Sequence, residues 1–136
     1  MVEFAIGAFV LLAAFAGTFE FGYTFLQYNN LQNAVARGAR YASLVPYDSP
    51  NTTPSAAFRT AVQNVVLYGT PTAGATPVLP GLAAANVNLT VTFANGIPSV
   101  MSVSINNYAI DSIFASNTLH SKPLVEFTYQ GIWSPI

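Results

Sequence analysis

The pattern of apolar and polar positions changes character twice along this chain. From Phe4 to Phe19 the only polar side chain is Thr18. Glu20 interrupts the run, and Phe21, Gly22, Tyr23, Thr24, Phe25 and Leu26 resume it. An uncharged stretch of this length is a membrane-span candidate, slightly short of the usual ~20 residues. After Leu26 the period shifts. Leu31, Val35, Gly38, Ala42 and Val45 recur at spacings of four and three, which places them on one helical face. Gln27, Asn30, Gln32, Asn33, Arg37 and Arg40 mostly fall elsewhere. No proline occurs before Pro46. The pattern predicts one continuous helix of roughly 40 residues, about 60 Å long at about 1.5 Å per residue. Its first half is apolar all round and its second half is amphipathic. We therefore divide the chain into an N-terminal helix, residues 1–45, and a globular αβ head, residues 46–136.

The head opens with a turn-rich connector, Pro46 to Pro54, whose residues cannot continue a helix. A second helix follows, with Thr53 as its expected N-cap and Pro54 at its first position. Phe58, Val62, Val65 and Val66 form its apolar face, and Gly69 is placed to end it. Thr70 to Gly81 reads as a loop of small residues and prolines. Then the period drops to two. Val87, Leu89, Val91 and Phe93 alternate with Asn88, Thr90 and Thr92, the pattern of a half-buried strand. Asn95-Gly96 is a strong tight-turn signal. Met101, Val103 and Ile105 form the next strand, made irregular at its start by Pro98. Tyr108 to Lys122 reads as a long connection with apolar spots at Ile110 and Ile113-Phe114. Val125, Phe127 and Tyr129 make a third strand, and an apolar tail, Ile132-Trp133, ends the pattern. The expected fold is α+β. A three- or four-stranded antiparallel sheet packs against the second helix and the amphipathic half of the first.

A helix this long exceeds what a head of this size can cover, so lipid or other copies of the helix must cover the rest. The segment VEFAIGAFVLLAAF, followed by FEFGYTFLQYNNLQNAVARGARYAS, resembles the N-terminal signature of TadE-like proteins. These are pilin-like proteins of the type IV filament superfamily, associated with Tad pilus systems. The resemblance rests on Glu3 beside Phe4, the apolar run, the triplet Glu20-Phe21-Gly22, and the block Leu31-Gln32-Asn33-Ala34 leading into Arg37, Arg40 and Tyr41. It covers the first third of the chain. Two features depart from the pilin pattern: the acidic residue is third rather than fifth, and Phe9 stands where many relatives have proline. The resemblance implies a pilin-like fold, an inner-membrane precursor, a pilus assembly machinery and a prepilin peptidase that removes a short basic leader. It also implies that Glu3 pairs with the free α-amino group of a neighbouring subunit and sets its register.

Composition sharpens this picture. Only 7% of the 136 residues are charged and the net charge is −1, against a typical charged share of ~25%. So few charges suit a membrane-anchored domain, or a subunit largely covered by copies of itself. There is no basic patch to engage nucleic acid. Cysteine is absent, which excludes thiol chemistry and cysteine metal sites. The single histidine, His120, sits in a polar segment, and the five acids, Glu3, Glu20, Asp48, Asp111 and Glu126, show no paired spacing. No Gly-rich phosphate loop follows a strand. We expect no catalytic site, no cofactor and no bound metal. Asn51-Thr52-Thr53 and Asn88-Leu89-Thr90 fit the N-glycosylation sequon, a pattern that chance supplies easily.

The informative polar residues are the two acids of the apolar half. A carboxylate in hydrocarbon costs at least ~2.5 kcal/mol and needs a partner or an interface. Glu3 and Glu20 can mark the two ends of a span; alternatively both serve assembly. Small residues add to the second reading. Ala13 and Gly17 are four apart, as are Ala34 and Gly38, and Gly38 and Ala42, spacings that let helix backbones approach closely. The expected assembly residues are therefore Glu3, Phe4, Ala13, Gly17, Glu20, Arg37 and Arg40. Glu20 is expected to meet Arg37 or Arg40 of a different copy. The expected function is a structural, non-enzymatic subunit that polymerises through its helix into an extracellular, cell-surface filament. The alternative is a membrane-anchored accessory or binding domain, a minor pseudopilin that does not itself form the filament.

Overall fold

The structure is a computed structural model that describes residues 2–112, 114 and 116–135. Ile113, one of the apolar spots expected in the 108–122 connection, lies outside the described residues. Helix α1 runs unbroken from Val2 to Leu44, 43 residues, as the missing prolines and the continuous pattern require. It is followed by α2 (Ala56–Tyr68), β1 (Val87–Ala94), β2 (Ile97–Ile105), β3 (Tyr108–Asp111), β4 (Ser116–Leu119) and β5 (Leu124–Thr128). The fold is α+β: a long apolar N-terminal helix, one more helix, and antiparallel sheets of three and two strands.

Helix α2 forms where its apolar face predicts, with Phe58, Val62, Val65 and Val66 buried. Its start differs from expectation. Ser55, not Thr53, is the N-cap: its Oγ accepts the Phe58 N–H at 3.1 Å and donates to Asp48 Oδ2 at 2.6 Å. The connector carboxylate holds that hydroxyl in place, and the Thr53 N–H is taken by Asn51 Oδ1 at 2.8 Å. Pro54 therefore precedes the helix instead of opening it. At the other end Gly69 takes the left-handed conformation, φ 79°, and its N–H returns to Val65 O at 2.9 Å. This is the expected stop.

The main sheet has the order β1-β2-β5, antiparallel throughout. Leu89 pairs with Val103 and Val103 with Val125; Val91 pairs with Met101 and Met101 with Phe127. Asn95 and Gly96, both at positive φ, form the β1–β2 turn that their sequence announces. The register slips between Thr92 and Phe93, where Pro98 enters opposite Phe93 and cannot donate to the ladder. One region departs from expectation. The supposed connection after Tyr108 contains a second hairpin, β3 with β4, in which Ile110 pairs with Asn117. Ser116–Leu119 is almost wholly polar, so no alternation marks it as a strand.

The core sits between the sheet and the two helices. Leu31, Val35, Ala39 and Ala42 of α1 are fully buried with Val62 and Val66 of α2 and Met101, Val103 and Ile105 of β2. The helices come unusually close at Gly38, where an added Cβ would lie 2.3 Å from Val66 Cγ2. Tyr47 closes one end. Its fully buried ring meets Phe58 edge-on at 5.2 Å and Phe93 at 6.0 Å. The C-terminal tail is drawn in beside it. The Tyr47 N–H donates to Tyr129 Oη at 2.8 Å and to Ile132 O at 3.0 Å. Trp133 Nε1 donates to Ser49 O at 3.1 Å. The apolar tail is thus part of the core, and the connector that reads as a string of turns is its anchor.

Candidate assembly surface

The exposed half of α1 is the feature a self-sufficient head does not need. No described residue before Leu31 is buried. The helix is long and apolar enough to cross a membrane by length and composition, and none of its most apolar 18-residue stretch is buried within the fold. Phe4 is 82% exposed and Phe9 is 74% exposed. Phe19 and Tyr23 stack at 6.5 Å, and Phe21 and Phe25 at 6.3 Å, along the helix surface.

The expected assembly residues fall into three places. Glu3, Phe4, Ala13 and Gly17 all lie on the uncovered half, and nothing stands within 4 Å of a Cβ built on Gly17. Arg37 and Arg40 are exposed on the upper half, where they line a shallow groove of about 320 Å³ with Asn33, Ala36 and Phe127 of β5. Glu20 stands between, where the head begins. Its Oε1 accepts the Ser112 hydroxyl and, at 3.2 Å, the Phe114 backbone N–H. The structure does not bring Glu20 and the arginines together within one chain, because Glu20 and Arg37 are about 25 Å apart along the axis at about 1.5 Å per residue.

The bond from Glu20 to the loop after β3 is invisible in the sequence. Its partners are 92 and 94 positions away, and the polar residues around Ser112 carry no periodic signal. Of the small-residue pairs, the structure uses Ala34, Gly38 and Ala42 inside its own head, all buried, with Gly38 against Val66. Ala13 and Gly17 stay uncovered. Asn51 is exposed, with its Oδ1 engaged by the Thr53 N–H, and Asn88 is exposed on β1. His120 is exposed at the end of β4. Among the described residues no group of three or more His, Asp or Glu could hold a metal ion. The groups whose titration the fold moves are phenols. Burial pushes Tyr47, Tyr108 and Tyr129 up, and for Tyr108 the charge of Asp111 adds to the effect.

The class this arrangement defines is a small α+β head carried on a single long helix whose first half the head leaves bare. Residues 1–40 match the family model described as TadE-like protein. Comparison with curated proteins and with solved structures gives no match.

Proposed function

We propose that this chain is a structural, non-enzymatic subunit that polymerises through α1 into a type IV-like Tad pilus filament on the cell surface. One observation carries this reading: a 43-residue helix that matches the TadE-like model over 1–40 and presents an all-round apolar first half that its own head does not cover. Such a surface needs an apolar environment on every side. The inner membrane supplies it before assembly, and parallel copies of the helix supply it afterwards. Ala13 and Gly17 give copies room for close approach. Glu3 is held to set register against a neighbour's α-amino group, and the groove holding Arg37 and Arg40 faces outward for contact between heads.

The test is to shear surface material from cells carrying the wild-type chain or Glu3→Ala, view it by negative-stain microscopy, and search it for this chain by mass spectrometry. The expected result is wild-type chain along the filaments and a Glu3→Ala chain that inserts in the membrane but is absent from them. Filaments free of the wild-type chain would transfer the assignment to the anchored accessory domain. Wild-type incorporation of Glu3→Ala would leave Glu3 with only an interfacial role.

A further inference from the structure

The hairpin tip after β3 lies at the level of α1 where the bare half ends. Glu20 fixes that level by accepting the Ser112 hydroxyl and the Phe114 N–H. Glu3 and Glu20 are about 25 Å apart at about 1.5 Å per residue, close to the ~30 Å of a bilayer's hydrocarbon core. A helix that spans a membrane therefore puts both carboxylates near the two edges of that core, where their charge is least costly. The tip is carried to the same edge. There the Phe114 ring is 69% exposed, although its own N–H and the Ser112 hydroxyl are bonded to Glu20, and the exposed rings of Phe19, Phe21 and Tyr23 stand at the same height. Apolar rings beside polar groups are what an interface accommodates: ring in the acyl boundary, carboxylates and hydroxyls in the headgroup layer. Asp111, which accepts the Ser116 hydroxyl at 2.6 Å, supplies the wet side of the tip.

Resting on the proposed membrane span, we infer that the β3–β4 tip is a second membrane contact: Phe114 inserts into the lipid interface and seats the head upright on the bilayer before assembly. The partner is a lipid surface, recognised by apolar insertion beside the helix rather than by charge, since Glu20 and Asp111 would gain nothing from anionic lipid. The head's opposite end, at the β1–β2 turn beside Tyr47, points away from the membrane.

Because the chain has no cysteine, depth can be read at single sites. Phe9→Cys, Phe114→Cys and Ala94→Cys are each labelled with an environment-sensitive fluorophore. Each full-length chain is then reconstituted in phosphatidylcholine vesicles whose acyl chains are brominated either near the headgroup or near the methyl end. The label at position 9 should lose emission in both lipids. The label at position 114 should lose it mainly with bromine near the headgroup, and the label at position 94 should lose none. An unquenched 114 label beside a quenched 9 label overturns the lipid contact and leaves the span standing. An unquenched 9 label overturns the span itself. Quenching at position 94 as well means a head lying flat, which also overturns the upright seat.

Discussion

The two halves of α1 belong to one unbroken helix and have opposite fates. Both carry small residues at four-residue spacing, Ala13 and Gly17 below, Ala34, Gly38 and Ala42 above. In the upper half the small residues are already used, because α2 fills the space over Gly38 so tightly that a Cβ would strike Val66. In the lower half nothing stands within 4 Å of Gly7, Gly17 or Gly22. What separates the halves is periodicity. The upper half has a polar face that can stay in water while Leu31 and Val35 go inward; the lower half has no face to leave outside. An amphipathic helix can be satisfied by one sheet, whereas an all-round apolar helix needs neighbours on every side.

The largest effect expected from this contrast is on location. Deleting residues 2–19 should move the chain from the membrane fraction to the soluble fraction, with the head's circular dichroism and thermal transition retained. No buried side chain is removed by that deletion. Loss of the folded spectrum would mean that the halves are not independent. Next in size is a matched pair of substitutions. Gly38→Val forces two branched side chains into one space and should destabilise the head by about 1–3 kcal/mol. Gly17→Val should stay within ~0.5 kcal/mol, the usual range for an exposed position. Denaturant titration in micelles reads both, and equal effects would erase the contrast.

Smaller effects test how the upper half is closed. Tyr129→Phe removes the oxygen that accepts the Tyr47 N–H and leaves Ile132 O as that donor's remaining partner. A loss of about 1 kcal/mol is expected, with the transition still cooperative. The smallest effect is with pH. Burial raises the folded-state pKa values of Tyr47, Tyr108 and Tyr129, while the unfolded phenols keep about 10. The unfolded chain therefore gives up these protons first, so stability should be flat below about pH 10 and fall as the pH rises further. The urea midpoint followed into alkali should show this slope, and Tyr129→Phe should make it shallower. A midpoint that climbs with alkali would contradict the burial of these rings.

The sequence is most legible where one period persists. The length of α1, the apolar face of α2, the alternation of β1 and the Asn95-Gly96 turn all follow from local pattern and appear in the structure, whereas β2, the central strand, is buried on both faces from Met101 to Ile105, Ser102 and Ser104 included. Legibility fails where the deciding partner is distant. Ser55 rather than Thr53 caps α2 because Asp48 reaches across the connector to it. Ser116–Leu119 is a strand because Tyr108–Asp111 offers it an edge, and its own residues give no hint. Phe127 reads as an inward residue of its strand but stands at an edge of the sheet, 38% exposed. Of the proposed assembly residues, Glu3, Phe4, Ala13 and Gly17 are read from the sequence onto the apolar half of α1, and the structure leaves that half bare. The link from Glu20 to Ser112 and Phe114 depends on where the hairpin folds back, which no local spacing encodes.

The unbroken course of α1 also makes it a drive shaft. No hinge separates the bare half from the residues that fill the core, so the head's azimuth is fixed by the number of residues between them. One residue inserted between Gly22 and Leu31 would advance the helix by about 1.5 Å and turn the head by about 100° relative to the lower half. Torque or tension applied to the lower half would pass through the bonds of Glu20 to Ser112 and Phe114 and into the contact of Gly38 with Val66, with no linker to absorb it.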